Sequence, residues 1–119
     1  MTENKKLKRY DLEERTLNFA KRVNFYVNKL PRTISNLENG KQLVRAGGSI
    51  GANYIEANEA LSKKDFLMRI KISRKETKEA RFWIYLTEPS KENQEEKDWL
   101  INEATELMNI FGSILRKSE

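Results

Sequence analysis

Glu56 with Glu59, and Glu76 with Glu79, form two E-x-x-E pairs. Three residues apart on a helix, both carboxylates of a pair lie on one face. Carboxylate pairs on neighbouring helices can hold magnesium, and the metal can then bind the phosphates of a nucleotide substrate, so a Mg-dependent nucleotide pyrophosphatase is one reading. Register argues against it. The turn between the two helices falls near Leu61 and Ser62, which leaves the pairs about twelve residues out of step, roughly 18 Å along the hairpin at about 1.5 Å per residue. One metal cluster cannot span that distance. The same register brings Arg45 opposite Glu79, and Arg69 opposite Asn53 and about one turn from Glu56. The glutamates are therefore expected to neutralise cations. A structural network of Arg45, Ser49, Asn53, Glu56, Glu76 and Glu79 would satisfy polar groups beside the core and hold the hairpin in register.

The rest of the composition removes most other chemistry. The chain of 119 residues has neither Cys nor His. Disulfides, thiolate metal sites, cysteine nucleophiles, the Ser-His triad and the Glu-x-x-His sets of di-iron bundles are all excluded. Ser49 has no base to activate it. No catalytic residue, metal ligand set or cofactor is expected, and the protein reads as a non-enzyme.

What remains is charge. Between Lys63 and Arg81 there are eight basic residues and three acidic ones, an excess equal to the net +5 of the whole chain. At about 100° per residue, Lys64, Lys71, Arg74, Lys75, Lys78 and Arg81 fall on one flank of the helix, while Glu76 and Glu79 fall on the other. Phe82 and Tyr85 share the basic flank. A phosphate backbone could engage such a ridge, with the aromatic rings available for stacking. A solvated, lysine-rich helix surface is the plainer account of the same residues.

These side chains need helices to position them. Gly and Pro are scarce at 5 and 2, and four stretches carry a helical apolar period. The first is expected over about Asp11 to Leu30, capped by Asp11 and ended by Pro31, with the stripe Leu12, Phe19, Val23, Tyr26 and Leu30. The second begins after Thr33 or Ser35, where Ser35 and Glu38 have capping-box spacing, and reaches about Ala60. Its stripe is Leu43, Ala46, Ile50, Tyr54, Ala57 and Leu61. Gly47, Gly48 and Gly51 each cost this helix about 1 kcal/mol relative to Ala, and close approach of a neighbouring helix backbone is the expected compensation. The third helix opens on Ser62 with Asp65 and runs to about Thr87, burying Phe66, Ile70, Ser73, Thr77, Ala80 and Ile84. The fourth follows a linker from Glu88 to Lys91. It carries Leu100, Ala104, Leu107, Phe111 and Ile114, with Glu92, Glu95, Glu96 and Asp98 near its positive end.

Short connections make sequential helices antiparallel, so the fold expected is an all-α, up-down-up-down four-helix bundle over residues 11–117. Residues 1–10, with Lys5, Lys6, Lys8 and Arg9, read as a flexible basic tail. No signal peptide or run of bilayer length is apparent, which points to the cytoplasm and away from membranes. Phe82 and Trp83 add more apolar surface than one small core covers, so a subunit interface is expected.

The run QLVRAGGSIGANYIEANE from Gln42 to Glu59, followed by SKKDFLMRIKISRKETKEARFWIYL, resembles the proteins encoded in intervening sequences of bacterial 23S ribosomal RNA genes. The marks are Gln42, Leu43 and Arg45, Ser49 to Asn53, Glu56-Ala57, Asp65-Phe66, and Glu76 with Trp83. The resemblance implies a helical bundle that assembles as a ring-like homopentamer, with suspected nucleic-acid binding and no established enzymatic activity. It also implies a fold similar to the accessory variability determinant protein of diversity-generating retroelements, which engages reverse transcriptase and RNA. A scaffold that recruits such a partner enzyme is the alternative function.

Overall fold

A computed structural model describes residues 2–118, with side chains described for 12–118. Four long helices follow one another: α1 (Thr2–Asn28), α2 (Ile34–Asn58), α3 (Lys63–Leu86) and α4 (Gln94–Ser118), with a 3-10 turn at Lys91–Asn93 before α4. Among the described residues there is no strand. The helices form an up-down bundle in which α2 packs on α3, α3 on α4, and α1 on both α2 and α4. No helix among the described residues is long and apolar enough to cross a membrane.

Local signals explain most boundaries. Thr33 caps α2, its hydroxyl accepting from the Asn36 amide, so the Ser35 and Glu38 pair is not the cap. Ser62 caps α3 by accepting from the Asp65 amide, as its spacing predicts. Asp11 is not an N-cap, because α1 extends back to Thr2 and encloses it. The side chains of the basic tail over 1–10 lie outside the described residues.

The predicted stripes form one core. Phe19, Val23, Leu43, Ile50, Ile70, Ile84, Leu100, Leu107 and Phe111 are fully buried, with Phe66 and Ile114 packed at its margin. Leu61 is the exception at 100% exposed, because α2 ends at Asn58 and leaves it in the turn. The glycines divide by what they face. A Cβ on Gly51 would stand 2.9 Å from Thr16 Oγ1, one on Gly40 2.9 Å from Val27, and one on Gly47 3.3 Å from Val23. That stripe lets α1 settle close on α2, and it is mainly side chains of α1 that fill the space, not its backbone. Gly48 has nothing within 4 Å, so close packing within the chain does not account for it.

One end of the bundle is tied by polar groups. Asn36 donates to the carbonyls of Pro31 and Glu88 and accepts from the Glu88 amide, joining two loops. The Tyr26 and Thr87 hydroxyls are 2.7 Å apart, and Thr87 also donates to the Ile84 carbonyl. Lys97 donates to the Thr87 carbonyl at the end of α3.

Candidate nucleic-acid interface

The α2–α3 hairpin holds the register expected from its turn. Ser73 donates to the Ile50 carbonyl across the interface, and Arg69 donates to Asn53 Oδ1 at 3.0 Å. Arg45 reaches both Glu76, at 3.2 and 3.4 Å, and Glu79, at 3.3 Å. Glu76 is only 9% exposed, and the two glutamates hold the guanidinium in its charged form, raising the Arg45 pKa above its ordinary value chiefly through the Glu76 hydrogen bond.

Two members of the expected network stand apart. Ser49 donates to the Arg45 carbonyl of its own helix, and Asn53 Nδ2 to the Ser49 carbonyl, so Ser49 makes an intrahelical bond and does not cross to α3. Glu56 is exposed, with no ion pair among the described residues. The helical backbone carbonyl four residues back was the nearer acceptor for Ser49. The two E-x-x-E pairs remain apart. Among the described residues no three acidic side chains gather where they could hold a metal ion.

On α3, Lys64, Lys71, Lys75 and Lys78 are exposed along the outward edge, as the helical spacing predicts. None of the four has a hydrogen bond or ion pair among the described residues. Phe82 and Tyr85 stand on the same edge at 57% and 58% exposure. Arg74 and Arg81 differ from this pattern. Both are half-buried at the seam with α4, where Arg81 donates to Thr105 Oγ1 at 3.1 Å. Arg74 Nε is shut off from solvent with no hydrogen-bond partner among the described residues. Lys71, Arg74, Lys75 and Lys78 line a shallow depression with Leu115 of α4 and Glu79. Glu79 therefore borders the basic surface and is not turned wholly away from it, although its carboxylate contacts Arg45.

The seam between α1 and α4 was not anticipated. Arg15 forks onto Glu103 at 2.7 and 3.0 Å, and Glu103 is 8% exposed. Arg22 donates to both oxygens of Glu96 and lies over the Trp99 ring at 3.5 Å. Its pKa is raised, first by the Glu96 hydrogen bond, against an opposing effect of burial. The signal available in the sequence was the row Glu96, Trp99, Glu103 on one face of α4, at helical spacing.

This geometry defines a class: a four-helix bundle with one self-neutralised seam and one bare basic edge. The chain belongs to the family of 23S rRNA-intervening sequence proteins, whose model matches residues 8–113. It is similar to a crystal structure of a protein of unknown function from the S23 ribosomal protein family of Bacteroides thetaiotaomicron. The TM-score is 0.75 with 28% sequence identity, over 92% of this chain and 98% of that one. No curated protein gives a match.

Proposed function

We propose that this chain is a non-enzymatic, self-assembling bundle protein of the cytoplasm that binds RNA or DNA through phosphate contacts from α3, with little base specificity. The observation that carries the reading is the row Lys64, Lys71, Lys75 and Lys78, exposed and without carboxylate partners among the described residues, beside the exposed rings of Phe82 and Tyr85. Arg74 and Arg81 extend that row to the α4 seam. Ammonium groups release counterions from a polyanion, and aromatic faces stack on bases of any identity.

Self-association, with five chains as the expected number, is supported by a second surface. Leu37, Val44 and Ile55 are exposed along the outer side of α2, where Gly48 has open space beside it. A neighbouring subunit would cover this apolar strip. Native mass spectrometry tests it by reading a mass of five chains or of one.

Reversing the charge at Lys71, Arg74 and Lys78 is the test of binding. The expected result is a uniform loss of affinity across nucleic-acid sequences and a flatter dependence on salt. Unchanged affinity in that triple variant overturns the reading. The exposed aromatics favour one alternative, a scaffold that recruits a partner enzyme such as a reverse transcriptase. It predicts co-purification of a protein and no salt-dependent binding of nucleic acid.

A further inference from the structure

Arg74 and Arg116 approach the same point from two helices. A methyl group in place of the Gly112 hydrogen would lie 3.4 Å from Arg74 Nε and 3.4 Å from Arg116 Nη1. The two nitrogens are therefore no further apart than twice that distance. Neither arginine has a hydrogen bond or ion pair among the described residues. Most other described arginines find an acceptor: Arg15 and Arg22 on α4 glutamates, Arg45 on α3 glutamates, Arg69 on Asn53 and Arg81 on Thr105. Arg116 and Lys117 both sit in the last turn of α4, where the helix dipole favours positive charge. The dipole explains why cations stand there. It does not explain why the exposed Arg116 stands close to a second guanidinium with no carboxylate among the described residues to offset their repulsion.

We infer that Arg74 and Arg116 form a two-helix clamp for a single phosphate group of a polynucleotide, seated over Gly112 at the α3–α4 seam. The inference rests on the proposed function above and adds a binding residue from α4 to it. Because Arg74 Nε is shut off from solvent, the phosphate oxygens would take the outer Nη nitrogens of the two guanidiniums, at about 2.8 Å, and convert their repulsion into attraction. Lys71, Lys75 and Lys78 share a shallow depression with Arg74 and can take the neighbouring phosphates. The Glu79 carboxylate at the border is engaged by Arg45, so it does not close the clamp from within. Phe82 and Tyr85, further along the same edge, favour a nucleic acid over an acidic polypeptide, because only the former brings bases to stack.

The test measures fluorescence anisotropy of labelled oligo(U) and oligo(dT) with the full chain over a salt series. Polyglutamate serves as an unlabelled competitor. Lys117→Gln is the control, removing one charge from the same last turn. Arg116→Gln is expected to weaken both oligonucleotides roughly tenfold and to lower the salt slope by about one, with Lys117→Gln within about twofold of the parent. Arg116→Lys restores the slope but not the full affinity, because an ammonium lacks the planar fork. Arg74→Gln combined with Arg116→Gln loses less than the product of the single losses, since both act on one phosphate. If Arg116→Gln matches Lys117→Gln while the Lys71, Arg74 and Lys78 reversal abolishes binding, the clamp is wrong and the basic edge stands. If the triple variant also binds normally, both fail. Competition by polyglutamate as strong as by unlabelled oligo(U) at equal charge overturns the phosphate assignment.

Discussion

α4 meets arginines on two sides and treats them differently. Towards α1 it offers Glu96 and Glu103, and Arg15 and Arg22 are each gripped by two carboxylate oxygens. Towards α3 it offers Thr105, Gly112 and Leu115, and Arg74 lies near the Gly112 backbone and a second guanidinium with no hydrogen bond or ion pair among the described residues. The first seam is complete within the subunit. Its charges hold the bundle together and have nothing left for a ligand. The second has neutral polar contacts, Arg81 to Thr105 and Lys97 to the Thr87 carbonyl, and Arg74 and Arg116 have no carboxylate partner there among the described residues. The same residue type is thus paired or left unpaired according to what the facing helix supplies.

Four substitutions sharpen that contrast. Glu103→Ala removes the nearly buried carboxylate that holds the part-exposed Arg15, and a loss of about 1–2 kcal/mol in urea unfolding is expected. Gly51→Ala presses a methyl group against Thr16 on the closely packed α1 side and costs about 1–2 kcal/mol in the same measurement. Its neighbour Gly48→Ala meets open space and gains about 1 kcal/mol of helix propensity; a loss of assembly mass in that variant would instead mark Gly48 as covered by a second chain. Arg74→Met, at the bare seam, changes stability by less than about 0.5 kcal/mol while weakening nucleic-acid binding. A fall comparable to that of Glu103→Ala would erase the difference between the two seams.

A pH experiment probes the Tyr26–Thr87 tie at one end of the bundle. Burial is the main cause that raises the Tyr26 pKa above its ordinary 10.0, while the hydrogen bond to Thr87 opposes it. The neutral phenol is therefore favoured in the folded chain. Its contribution is complete below about pH 10, where the unfolded phenol is also neutral, and is lost as pH rises through the elevated folded value. Tyr26→Phe should flatten the alkaline limb of a stability profile, read by thermal melts between pH 8 and 11.

The α2–α3 hairpin was legible because a single turn and fixed helical geometry determine which residues face each other. Arg45 with Glu76 and Glu79, and Arg69 with Asn53, follow from the position of Ser62. The bonding of Ser49 was not legible in this way, since a hydroxyl at i can reach the carbonyl at i−4 as easily as a partner on the next helix. The α1–α4 pairs escaped for a different reason. They lie 74 and 88 residues apart in sequence, with no tight turn to set their register.

Taken by itself, the amino-acid order determined the helical period, the Ser62 cap of α3, the core stripes and the excess of positive charge on α3, because each depends on neighbours within a few residues. Only the tertiary structure decided which cations are spent and which are not. Whether Arg74 or Arg15 finds a carboxylate depends on the face that α4 turns to each, and that is set by the packing of all four helices together.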